Sequence, residues 1–299
     1  MNETYFEQLE ETLYHEELSN GLNVYILPKK GFSKTYVTFT TKYGSIDREF
    51  IPLGKKEPVT VPDGIAHFLE HKMFEKEEGD VFQKFSENGA SANAFTSFTR
   101  TSYLFSSTDN ILENTNTLLN FVQEPYFTEQ TVEKEKGIIG QEITMYDDQP
   151  DWRLYFGTIE NMYKEHPVKI DIAGTIESIS HITAEHLYEC YNTFYHPSNM
   201  VLFVVGAVDP NEMMHFVKEN QAKEEFKAPG EDKPFRTKKD PTKPTLYSIL
   251  LKWPGVKLPK DRGIAFNNYP SDFKQFLANC LSDYYMKILR DKDYKTKAE

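Results

Sequence analysis

Between Gly64 and Phe74 the chain carries a nearly continuous apolar surface, Ile65, Ala66, Phe68, Leu69, Met73 and Phe74, with His67, Glu70, His71 and Lys72 set into it. A helix over this run is apolar around most of its circumference, and such a helix is stable only inside a core. The rest of the chain must fold around it, and must also supply partners for imidazoles taken out of water. Asp63 is expected to cap the helix, which should continue to about Glu75. Positions i and i+4 of a helix share a face, so His67 and His71 present two imidazoles to one point.

Zinc takes imidazole nitrogen readily, and a catalytic zinc site usually has three protein ligands and a water. Glu70 stands one residue before His71, to the side of the pair. From there it can take the proton of a zinc-activated water without being a ligand. The only two cysteines, Cys190 and Cys280, are far apart. They make no thiolate zinc site, so the metal must be held by histidine and carboxylate. The helix expected from Val132 to Met145 offers Glu133, Glu135 and Glu142 as further donors. Glu135 and Glu142 are two turns apart on one face, so one can bind the metal while the other orients a ligand or the water. Asp147 and Asp148 read as solvated. Gly137 and Gly140 lie between the two glutamates, and a helical glycine costs roughly 1 kcal/mol against alanine. That cost suggests another backbone close by, expected to be the His67–His71 helix. A purely structural zinc site would use four protein ligands, and the sequence offers three.

Around this helix the chain alternates between strand and helix patterns. Leu22, Val24 and Ile26 mark a strand over 21–28, and Val37, Phe39, Thr41 and Tyr43 one over 35–43. A loop is expected from Gly44 to about Pro62. A short helix runs from Asp80 to the Asn88-Gly89 stop, followed by strands at 91–98 and 101–107. Helices are expected at 110–122, 151–164 and 183–194, a buried strand at Met200–Val205, and a helix beginning at Asp209-Pro210. This order predicts an α+β domain with a mainly antiparallel sheet and helices packed on it, over residues 1–222. From 223 to 245 the chain is charged and proline-bearing, and it reads as an interdomain linker. Residues 246–299, with a strand at 246–253 and a helix at 273–289, read as the incomplete start of a second domain.

The run Gly64–His71, with its His-x-x-Glu-His order, resembles the pitrilysin or M16 family of inverzincin peptidases. That family includes insulin-degrading enzymes, mitochondrial processing peptidases and small bacterial peptidases. Glu135-Lys-Gly-Ile-Ile-Gly-Gln-Glu142 matches the family's pair of helical glutamates. The resemblance implies one zinc per chain on His67, His71 and Glu142, with Glu70 as base and Glu135 as supporting carboxylate. Gly89–Thr96 is similar to the family strand that holds an extended substrate, with Asn93 and Ala94 at the substrate-binding positions. His166-Pro167, Ala173-Gly174-Thr175 and Tyr195–Met200 are further landmarks. The match runs from about residue 20 to 220. The family's second-domain Arg and Tyr that help bind substrate have no counterpart here.

The expected activity is zinc-dependent endopeptidase cleavage of short or unfolded peptides. The alternative is an M16-fold assembly subunit that binds zinc but needs a partner or a further domain for activity. The resemblance also implies a homodimer or pairing with a metal-free homologue. A net charge of −12 argues against nucleic acid or an anionic membrane as partner. The longest apolar run, near Met200–Val208, is far shorter than the roughly 20 residues of a membrane span. The polar, acidic N-terminus has no secretory pattern, so a cytoplasmic location is expected.

Overall fold

Alternation of apolar residues builds most of one seven-stranded sheet in the computed structural model, which describes residues 1–52, 55–163, 165–223 and 235–236. Two strands open the chain, β1 (Asn2–Phe6) and β2 (Glu11–Glu17). β1 is exposed along its whole length, so no buried face marks it in the sequence. The expected pair follows as β3 (Asn23–Pro28) and β4 (Thr35–Thr41). Within the expected loop, β5 (Glu49–Ile51) and β6 (Val59–Thr60) pair as a small separate sheet.

The metal-helix candidate is α1 (Ile65–Met73), followed by the short pair β7 (Glu75–Lys76) and β8 (Gly79–Asp80). α2 (Val81–Glu87) is capped by Asp80, whose carboxylate accepts from the Phe82 amide. β9 (Ser91–Thr96) and β10 (Thr101–Ser107) form a hairpin, and α3 (Ile111–Gln123) follows. α4 (Glu129–Asp147) starts three residues before the expected Val132. Then come α5 (Pro150–Met162), the short α6 (Ile176–Ser180), α7 (Ala184–Phe194), β11 (Met200–Gly206) and α8 (Pro210–Gln221). α8 is capped by Asp209, as its sequence predicts. β12 (Phe235–Arg236) pairs with β5. The rest of the expected linker, the strand at 246–253 and the helix at 273–289 lie outside the described residues.

The sheet order is β1-β2-β3-β11-β4-β10-β9. Every neighbour is antiparallel except β3 and β11, which is the mainly antiparallel α+β arrangement expected. One face carries Leu22, Val24, Ile26, Val37, Phe39, Tyr103, Phe105, Leu202 and Val204, all fully buried. α1 and α2 lie against β9, α3 against β10 and β4, and α8 against β3, with α7 against α1. Each large apolar side chain taken from water here contributes about 1.5–3 kcal/mol. Among the described residues two compact units are distinguished, 1–144 with 171–223 and 235–236, and 145–163 with 165–170. In the second, Trp152 of α5 stacks on Tyr146 at 4.4 Å and leans on Phe156 at 4.9 Å.

Two expectations are corrected. Asp63 does not cap α1. Gly64 stands at the N-cap with φ 88°, and no side chain caps the helix. The Asp63 carboxylate turns instead to Arg48 at 3.1 Å. Gly64 is required at its position, because a Cβ there would stand 2.3 Å from the Ala173 carbonyl oxygen. Gly174, at φ 74°, is required in turn, since its Cβ would meet the Asp63 carbonyl oxygen at 2.5 Å. Two backbones therefore cross where α1 begins, and the Ser178 hydroxyl donates to Asp63 O (2.8 Å) at the crossing. Second, among the described residues no backbone, that of α1 included, packs on Gly137 or Gly140. A Cβ at either would have nothing within 4 Å among the described residues, and nothing in them explains either glycine.

Candidate metal centre

Burial of Ile65, Ala66, Phe68, Leu69 and Met73 fixes the rotation of α1 and leaves His67 and His71 half-buried on its other side. Their rings lie 4.6 Å apart at 64°. α4 buries only Val132, Glu135, Ile139 and Ile143, and this stripe sets its two glutamates toward the histidines. Glu142 Oε2 lies 3.7 Å from His67 Nε2 and 3.5 Å from His71 Nε2. Both separations exceed an ordinary N–H···O bond. Donors set about 2.0–2.2 Å from a tetrahedral ion stand about 3.3–3.6 Å apart; the His71 separation lies in that range and the His67 separation just beyond it. Among the described residues, His67, His71 and Glu142 form the group of donors able to hold a metal, all within 4.8 Å of one another.

Glu135 Oε1 stands 3.0 Å from His71 Nδ1. An ionised Glu135 makes Nδ1 the donor, which leaves the Nε2 lone pair of His71 facing Glu142. Burial pulls His71 down, but the Glu135 hydrogen bond and the charges of Glu70, Glu135 and Glu142 outweigh it and raise the imidazole above its ordinary value. His67 has no such partner: its Nδ1 is buried without a hydrogen bond among the described residues. Burial, with the His71 charge beside it, takes His67 down to about 3, so it is a neutral nitrogen donor at physiological pH. Once His71 gives up its proton, two neutral imidazoles and a carboxylate make a donor set that suits zinc.

Glu70 is only 7 % exposed. Burial raises its carboxyl above the usual range, opposed by the Thr96 hydroxyl and the His71 charge. The hydroxyl of Thr96, the last residue of β9, donates to Glu70 Oε2 at 2.7 Å. This contact carries no motif of its own in the sequence, and only the pairing of β9 beside α1 discloses it. Glu133 points elsewhere, to Lys136, and Asp147 and Asp148 are exposed.

β9 is the outermost strand of the sheet, bonded on one side to β10. The hairpin closes with the Ser97 amide on Arg100 O at 2.8 Å. Counting back from that bonded pair, the amides of Ala92, Ala94 and Thr96 point to the open edge. Asn93 is exposed, and its Oδ1 accepts the Ala94 amide at 2.9 Å.

Residues 55–176 match the family model described as insulinase, peptidase family M16, and residues 181–261 match the one described as peptidase M16 inactive domain. The chain belongs to the M16 peptidase family. An "uncharacterized zinc protease YmfH" of Bacillus subtilis strain 168 is 75% identical over 221 residues, which cover 74% of this chain and 52% of that protein. An "uncharacterized zinc protease" of Rickettsia felis is 28% identical over 211 residues, 69% of this chain and 49% of that one. A crystal structure from Alicyclobacillus acidocaldarius, described as M16-like, superposes with a TM-score of 0.72 at 50% identity, covering 78% of this chain and 53% of that one. The chain thus spans about half the length of these M16 relatives, all bacterial. Among the described residues no helix is long and apolar enough to cross a membrane.

Proposed function

We propose that this chain is the metal-bearing part of a zinc-dependent endopeptidase that cleaves short or unfolded peptides bound in extended form along β9. The observation that carries the reading is the convergence of His67, His71 and Glu142 within 4.8 Å, with the buried Glu70 on the same helix. His67, His71 and Glu142 would hold one zinc, which when bound supplies the Lewis-acid charge that activates water and polarises a peptide carbonyl.

The chain's own residues do the rest. Glu70 takes the proton of the attacking water at a carboxylate oxygen and passes it to the departing amine, and burial, which raises its affinity for the proton, suits that exchange. Glu135 holds the His71 ring in the tautomer that offers Nε2. The open amides of β9 pair with the substrate main chain once the Asn93 side chain leaves Ala94, so affinity is largely independent of substrate sequence. We place this activity in the cytoplasm, with a second copy or a metal-free homologue as partner.

The test is quenched-fluorescent peptide cleavage, with metal content, for the chain and its Glu70→Gln variant. The expected result is one zinc in each, cleavage by the parent, and a rate lower by about 10²–10⁴-fold in the variant. A second reading, a zinc-holding chain that is inactive without a further domain or partner, is favoured by the match of residues 181–261 to the inactive-domain model. It predicts zinc in both chains and cleavage by neither until the remaining domain or a partner is added.

A further inference from the structure

Thr96 joins two parts of the site that are otherwise separate in the sequence. Its backbone belongs to the edge strand β9, and its hydroxyl reaches α1 and donates to Glu70 Oε2 at 2.7 Å. The Thr101 hydroxyl lies 3.4 Å from the same oxygen of Thr96, but Thr101 donates to the Tyr43 carbonyl at 2.9 Å. With that proton committed, Thr101 serves Thr96 only as a weak neighbour, and the Thr96 proton goes to Glu70. The site of Thr96 is itself firmly held. The 97–100 turn beyond it is bonded by the Ser45 amide to Ser97 O and by the Ile46 amide to Phe98 O, each at 3.1 Å. Gly44 lies so close beneath this turn that a Cβ would stand 2.5 Å from Ser97 O. The turn cannot move without the 44–46 segment, so the hydroxyl is delivered to Glu70 from a fixed point.

A carboxylate has two oxygens of equal basicity until one is engaged. The Thr96 hydroxyl engages Oε2, which leaves Oε1 as the oxygen to receive a proton and stops the carboxylate from rotating. We infer that Thr96 is a positioning residue that holds Glu70 in one orientation, with Oε1 free, and ties that orientation to the strand on which an extended peptide lies. The inference rests on the reading of Glu70 as the base. The Thr96 hydroxyl acts through Glu70.

The test compares Thr96→Val, which keeps the shape and removes the donor, with Thr96→Ser, which keeps the donor. Peptide cleavage would be measured on the full-length protein with its zinc content. Expected is a kcat at least tenfold lower for Thr96→Val, KM within twofold, zinc unchanged, and recovery to within threefold of the parent in Thr96→Ser. An unchanged kcat in Thr96→Val, or a Thr96→Ser variant as slow as Thr96→Val, overturns the inference. A double-mutant cycle in unfolding free energy, combining Thr96→Val with Glu70→Leu, which removes the acceptor, reads the contact without any activity. If the parent cleaves nothing, the peptidase reading has failed. The cycle then decides Thr96 alone: non-additive changes show that it holds Glu70, and additive changes overturn that.

Discussion

α1 and α4 meet at the same site and are built on opposite terms. α1 buries seven of its nine residues and places its functional groups as exceptions in an apolar surface. α4 is nineteen residues long, buries four of them, and is otherwise a solvated helix rich in Glu and Lys. In α1 packing does the positioning, and a change in the core moves the site. In α4 a narrow stripe fixes the rotation, Glu129 and Lys136 bond the Ala184 amide and the Ser180 carbonyl, and Glu135 accepts from His71 at the site itself. A site assembled from one rigid and one lightly held element is most sensitive to packing on the first and to polar contacts on the second.

The sharpest contrast is expected from Phe68→Ala on α1. Phe68 is fully buried, and its truncation should cost about 3–5 kcal/mol in urea unfolding, a large part of a typical domain's stability. A loss below about 1 kcal/mol would mean that the core does not anchor α1. Next comes Glu135→Gln on α4, which removes the carboxylate that fixes His71. Zinc affinity should fall about 10–100-fold by competition with a chelator, while unfolding of the metal-free chain changes little. An unchanged affinity would leave α4 contributing Glu142 alone.

The pH dependence of zinc binding separates the two histidines. A proton on an imidazole competes with the metal for the same nitrogen, so binding weakens as pH falls through a ligand's pKa. His71 is raised above its ordinary value and must lose its proton, whereas His67, at about 3, is already neutral. Below the pKa of His71 the dissociation constant should rise about tenfold per pH unit, a slope of one. A slope of two would show that His67 also binds a proton there. The smallest effect is on the solvated side of α4. Gly137→Ala meets no neighbour among the described residues and should stabilise the chain by about 0.4–1 kcal/mol, seen as a rise in Tm. Destabilisation would mean that α4 has a partner on that face.

The same contrast explains how much of the molecule is legible in its amino-acid sequence. His67, Glu70 and His71 stand out because an apolar helix has few reasons to carry three polar groups in register. Among the many glutamates of α4, spacing leaves a choice, and it takes a resemblance to a family to single out Glu142 and Glu135. β3 and β4 are legible as alternation and β11 as a continuous apolar run, while β9 and β10 fit the segments after the Asn88-Gly89 stop. β1 is not, because an exposed strand has no alternation to show. The Asp63 cap fails because the sequence shows a good capping side chain but not the segment at 173–174 that forces glycine into the next position. Thr96 is invisible in the sequence for a related reason: its role depends on which helix lies beside the strand.

The crossing at Gly64 and Gly174 carries a consequence for how this protein can change over time. Most harmful substitutions can be offset elsewhere, because a neighbouring side chain can shrink, turn or be replaced. Here each glycine faces a main-chain carbonyl across the crossing, and every residue has that atom. No second substitution can remove it. The entry to the metal helix is thus held by two positions, far apart in sequence, at which a loss has no local suppressor.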